Sequence, residues 1–140
     1  MKKIVLDTNV IVSALIGNSY PRQVVFDYVL AKKVEILLSN AVFQEYVEVL
    51  RRPKFYQYPH FITKAEIVLN KLDELAVRSL TNLKLSIIKD EPDNRFLELA
   101  VGGGADFLIT GNSRDFPPGS FESVKIVSPE EFVNQMQQPD

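Results

Sequence analysis

The chain has 140 residues, 46% of them hydrophobic and 24% charged, with a formal net charge of −2. That length suits one compact domain over residues 1–140, long enough to bury a core without covalent staples. With no cysteine, a disulfide framework, a thiolate nucleophile and a cysteine zinc site are all excluded. The slightly acidic balance excludes a generally basic nucleic-acid binder and leaves a local basic patch, or bound metal ions, to meet any polyanion.

Residues 4–6 are a short apolar run stopped by Asp7-Thr8-Asn9, the pattern of a buried strand. Those three residues are good N-caps, so residues 10–16 are expected to form a short helix. The apolar stretch before Asp7 is too short for a signal peptide, and no segment approaches the ~18 uninterrupted apolar residues of a membrane span. A cytoplasmic protein with no membrane contact is expected. Pro21 suits the start of a second helix, with Val24, Val25, Tyr28 and Val29 as its apolar stripe. Residues 36–38 read as a second buried strand. A third helix is expected over residues 42–51, with Phe43, Tyr46, Val47 and Leu50 on its inner face and Pro53 beyond its end.

Residues 52–61 look like an irregular arm, rich in aromatic and basic side chains. Arg51, Arg52, Lys54, Phe55, Tyr56, Tyr58, His60 and Phe61 would suit stacking on single-stranded RNA. The plainer expectation, preferred here, is a loop that packs its aromatics on the core. Thr63 and Glu66 have capping-box spacing, expected to open a helix carrying Ile67, Leu69, Leu72 and Leu75. Residues 85–88 suggest another strand, ended by Lys89-Asp90-Glu91-Pro92. Asp93 is expected to cap a helix with Phe96, Leu97 and Ala100, closed by Gly102-Gly103-Gly104. These glycines follow a helix instead of preceding one, so they terminate it and do not form a phosphate loop. Residues 107–109 are a buried strand followed by Thr110-Gly111-Asn112, and residues 124–127 a last strand. Ser128 and Glu131 form a second capping box before a C-terminal helix with Phe132 and Val133. Short apolar strands alternating with helices predict an α/β protein with a central parallel sheet of four to five strands, covered on both faces.

Ligands of open parallel sheets bind beyond the carboxyl ends of the strands. Asp7 follows the first strand there, Asp90 and Asp93 follow residues 85–88, and Asn112 and Asp115 follow residues 107–109. Glu45 lies early in the helix after the second strand. On a helical wheel it falls at the boundary of the apolar stripe, whereas Glu48 points away from it. Two carboxylates about 4 Å apart repel by roughly 4 kcal/mol at an effective dielectric of about 20. Such a cluster must protonate, separate or bind a cation. Oxygen donors with no cysteine, and with His60 as the only histidine, favour magnesium or manganese over zinc, and such a site serves phosphate chemistry. Taken singly, Asp7 and Asp93 read equally well as helix caps, Glu45 as a surface charge and Asp90 as part of a turn. It is their recurrence at one sheet edge that favours a metal site. Ser13 and Ser113 have no adjacent histidine, so a serine hydrolase finds no support.

Four blocks resemble the PIN-domain family. They are Ile4-Val5-Leu6-Asp7-Thr8-Asn9-Val10, then Leu38-Ser39 with Phe43-Gln44-Glu45, then Asp90-Glu91-Pro92-Asp93-Asn94-Arg95-Phe96-Leu97-Glu98-Leu99-Ala100, and last Ala105-Asp106-Phe107-Leu108-Ile109-Thr110-Gly111-Asn112 with Asp115-Phe116-Pro117. The resemblance implies a three-layer α/β/α sandwich in which acids hold magnesium or manganese to cleave single-stranded RNA phosphodiesters. It also implies the toxin of a toxin–antitoxin pair, a small antitoxin partner and a homodimer. Asp7, Glu45 and Asp93 match the three central acids, and Asp90 an accessory one. The fourth family acid is replaced by Asn112, and Asp115 stands three residues on as a substitute metal ligand. Thr8, Asn9, Thr110 and Asn112 would orient the acids or touch substrate. The replacement at Asn112 leaves an alternative, a non-catalytic or weakly active module that binds RNA or an antitoxin.

Overall fold

Ile4, Val5 and Leu6 have no exposed surface, because the strand they form lies in the middle of the sheet. The computed structural model describes residues 1–17, 19–79 and 91–138, with residues 91–93 as backbone only. Its strands are β1 (Lys3–Leu6), β2 (Glu35–Leu38), β3 (Val77–Arg78), β4 (Phe107–Ile109), β5 (Ser120–Phe121) and β6 (Val124–Val127). They form one sheet in the order β3-β2-β1-β4-β6-β5. Every neighbouring pair is parallel except β5 with β6. β1 is followed in sequence by its neighbour on one side, β2, while its other neighbour, β4, comes much later. The chain therefore changes direction between β1 and β4, and such a switch point is where α/β sheets open a crevice.

The sheet has six strands where four to five parallel ones were expected. The two additions that lengthen it are β3 and β5, each two residues long. β5 turns back onto β6 through Glu122, whose φ is 55°, and the register pairs Phe121 with Val124. This is a tight hairpin. The strand expected over residues 85–88 lies outside the described residues.

The helices are α1 (Thr8–Ile16), α2 (Tyr20–Arg22), α3 (Asn40–Leu50), α4 (Phe61–Leu75), α5 (Glu91–Gly102) and α6 (Pro129–Gln137). α2 runs straight into a π-helical segment, Gln23–Val29, which buries Val24, Val25 and Val29 as the stripe predicted. α5 packs on β1, β2 and β4, and α6 on β4 and β6. Phe132 of α6 meets both Phe107 and Tyr28 edge-on, each at 5.4 Å between ring centres.

Helix ends match the expectations in part. Ser128 and Glu131 make both bonds of the capping box that opens α6. Thr63 and Glu66 do not open α4, which begins two residues earlier, at Phe61. Phe61 is drawn into the core by stacking on Phe55 at 4.6 Å, and Glu66 pairs with Arg51 instead. The aromatic arm thus packs inward through Phe55 and Phe61, with Tyr56 exposed. Gly103 and Gly104 end α5 as expected. A Cβ on Gly103 would lie 2.9 Å from both the Leu99 carbonyl oxygen and Leu37 Cδ1, and Gly104 has a φ of +70°.

Candidate functional site

Asp7 continues β1 in line. Its N–H donates to the carbonyl of Ile109 at 2.9 Å, extending the pairing of β1 with β4 by one rung. The residue stands at the N-cap of α1, yet its side chain makes no capping bond. The carboxylate turns instead toward the loop after β4. Oδ2 accepts from the Thr110 hydroxyl at 2.8 Å and from the Asn9 amide at 3.3 Å. The helix end is thus not its only partner: the backbone amides of Thr8 and Asn9 still favour its charged form, while Thr110 holds it from the β4 side.

Asp7 is only 6% exposed. Its carboxyl is raised to a pKa of about 6: burial raises it most, the hydrogen bond from Thr110 opposes, and the nearby charge of Glu45 adds to the rise. A carboxylate so placed is short of positive charge, since solvent no longer screens it and a second acid faces it.

Glu45 reaches the site from α3, which starts straight after β2. Ser39 caps that helix by accepting from Val42 N–H at 3.1 Å. The inner face of α3 is set by Val42, Tyr46 and Leu50, with Phe43 and Val47 only partly buried. This face is rotated toward Glu45 relative to the expected stripe, so Glu45 is drawn inward and its side chain is 15% exposed. Thr8 donates its hydroxyl to Glu45 Oε2. Arg95 on α5 approaches from the other side, with Nη1 3.9 Å from Glu45 Oε1. Glu48 points to solvent and pairs with Arg52, as the wheel predicts.

The loop after β4 is built around the same carboxylate. Thr110 is fully buried, and its oxygen also accepts from Asn112 N–H at 3.0 Å. Asn9 donates to Asp7 and accepts from Gly111 N–H at 3.1 Å. One asparagine thereby fastens the start of α1 to the end of β4.

The structure thus brings together Asp7, Glu45, Thr8, Asn9 and Thr110. Asn112 joins through its backbone. Asp115 lies in an exposed 3-10 turn, Ser113–Asp115, and among the described residues no group of three or more His, Cys, Asp or Glu gathers to hold a metal. Asp93 falls at the third position of α5, not at its cap as expected, and its side chain lies outside the described residues, as does Asp90 altogether. The carboxylates of Asp7 and Glu45, both largely buried and near enough to repel, are oxygen donors of the kind that a small hard divalent cation takes.

Two residues matter here that sequence reasoning left without a role. Tyr46, expected only as part of a core stripe, donates to the Leu6 carbonyl at 2.6 Å. Its position directly after Glu45 was the available signal. Arg95, part of the third block, touches Glu45. No helix among the described residues is long and apolar enough to cross a membrane.

A sequence profile described as PIN domain matches residues 3–114. The chain is also 24% identical to an uncharacterized protein of Methanocaldococcus jannaschii, over 96% of this chain and 92% of that protein. The profile spans well over half the chain, from the strand before Asp7 to the turn after Thr110. The chain belongs to the PIN-domain family, whose members are generally nucleases.

Proposed function

We propose that this chain is a magnesium- or manganese-dependent ribonuclease that cleaves phosphodiesters of single-stranded RNA. The observation that carries the proposal is the meeting of Asp7 and Glu45 at the β1–β4 switch point, from separate parts of the chain. Asp7, Glu45 and Asp93 would hold the ion, with Asp90 and Asp115 as accessory acids. A bound ion would lower the pKa of water and neutralise charge developing on phosphate. The protein's own residues orient the acids. Thr110 and Asn9 fix the Asp7 carboxylate, and Thr8 fixes that of Glu45. These supporting hydrogen bonds keep the oxygens in place in the free protein, so little reorganisation is left for binding.

The toxin role, a small antitoxin partner and a homodimer are part of the same proposal, supported by the four PIN-like blocks, as is a cytoplasmic location, supported by the short apolar stretch before Asp7. A second reading has one specific observation in its favour: Asn112 stands uncharged where the family places an acid. In that reading the chain binds RNA or an antitoxin without cutting.

The test is incubation of labelled single-stranded RNA with the full chain, with manganese or with chelator, alongside Asp7→Asn. Cleavage that needs the metal and is lost in the folded variant supports the ribonuclease. RNA binding indifferent to chelator, with no cleavage, supports the second reading.

A further inference from the structure

We infer that Arg95 is a substrate-binding residue that grips a backbone phosphate of the nucleic acid at the Asp7–Glu45 site. The inference rests on the nuclease reading for its substrate class. A polyanion approaching two carboxylates is repelled, and the chain's net charge of −2 supplies no general attraction. A basic side chain beside the acids would add local attraction to that of the ion they would hold. Among the described residues, Arg95 is the base that pairs with Glu45.

Arg22 lies over the Phe26 ring, and Arg114 sits in the exposed Ser113–Asp115 turn. Arg51 pairs with Glu66, Arg52 with Glu48, and Arg78 with Asp73 while lying over Phe43. Arg95 is held more loosely. Its Nη1 lies 3.9 Å from Glu45 Oε1, beyond hydrogen-bonding distance, and 3.4 Å from the Ala41 carbonyl oxygen. Among the described residues both contacts use the same nitrogen, whereas a guanidinium carries five donors in a planar fork suited to phosphate. The side chain is 35% exposed, so it is reachable from solvent. Its backbone is anchored between buried Asn94 and Phe96 on α5. An ion pair this long, with its arginine partly exposed, is readily redirected. Without substrate Arg95 screens Glu45, and with substrate its fork turns to phosphate.

The test compares Arg95→Ala and Arg95→Lys with the wild-type chain. Cleavage of a short single-stranded RNA is followed with manganese, and binding is followed by fluorescence anisotropy across a salt series in an Asp7→Asn background. The expected result is a rise in KM of roughly tenfold for Arg95→Ala, and a salt slope of binding lower by about 0.7, as loss of one single-strand phosphate contact requires. Arg95→Lys should restore the slope. A merely structural arginine would lower thermal stability and leave the slope unchanged, and a folded Arg95→Ala with unaltered KM and slope overturns the inference. If the wild-type chain binds RNA with an Arg95-dependent slope but cuts nothing, the nuclease proposal fails and the phosphate grip stands. If it neither binds nor cuts, both fall.

Discussion

Tyr46, one position after Glu45, donates its phenol to the carbonyl of Leu6, one position before Asp7, at 2.6 Å. A single bond therefore ties the helix carrying one acid to the strand carrying the other. Complete burial, reinforced by the charges of Asp7 and Glu45, holds the phenol well above its ordinary pKa. It stays protonated at neutral pH and remains a donor there.

Tyr46→Phe tests the tie while keeping the ring that stacks on Phe96. Removal of the donor should cost about 1–1.5 kcal/mol of stability, read from urea denaturation. Manganese affinity should fall with it, because the two acids lose their common brace. Unchanged stability and affinity would show that the bond is incidental.

Asp7→Asn should make the metal-free protein more stable at neutral pH. The folded carboxyl titrates at about 6 against an ordinary value of 3.8, so the native state binds the proton more tightly than the unfolded state does. Stability from this group is complete below the unfolded value and is lost as pH rises through about 6. The wild type should therefore fall behind the variant by roughly 2–3 kcal/mol between pH 4 and pH 7.5. Denaturation midpoints of both proteins across that range, in chelator, give the comparison. A constant difference would mean that Asp7 is not under strain.

Thr110→Val removes a bond that lowers the Asp7 pKa and takes away the acceptor for Asn112 N–H. Asp7 should then titrate higher still. Manganese binding should weaken about tenfold at pH 7, with its pH dependence displaced upward. Isothermal titration at several pH values would measure both effects.

Manganese should raise the melting temperature of the wild-type chain in a concentration-dependent way, since a ligand of the native state stabilises it by mass action. Glu45→Gln should abolish most of that rise while leaving the fold intact by circular dichroism. An equal rise in both proteins would place the cation elsewhere.

Gly103→Ala is expected to destabilise by roughly 1–3 kcal/mol, because the new methyl group meets a backbone oxygen that cannot swing away. Thermal melting would register this without any effect on the chemistry of the acids.

The central strands were plain in the sequence because each is a continuous apolar run with polar residues after it. β3 and β5 were not, since two residues carry no period. The expected inner face of α3 was misjudged for a physical reason. Phe43 looks like a core residue, but Arg78 covers it at 5.2 Å and it stays partly buried at the rim. With that residue removed from the stripe, Val42 and Tyr46 set the inward direction and Glu45 follows them. The spacing of Thr63 and Glu66 misled in a similar way, because a distant arginine competed successfully for the glutamate. Asp7 was legible as a residue after a strand. Whether it capped a helix or faced a cleft depended on Thr110, which only the pairing of β1 with β4 brings alongside.

The amide of Asp7 is a rung between two interior strands, β1 and β4. An acid mounted in this way cannot drift off to relieve its crowding, because movement would unzip the middle of the molecule. Local breathing of loops should leave it undisturbed, and its amide proton should exchange with solvent only through global unfolding. The tension between the acids is thus locked into the most persistent part of the protein, ready for a cation and insulated from the motions of its surface.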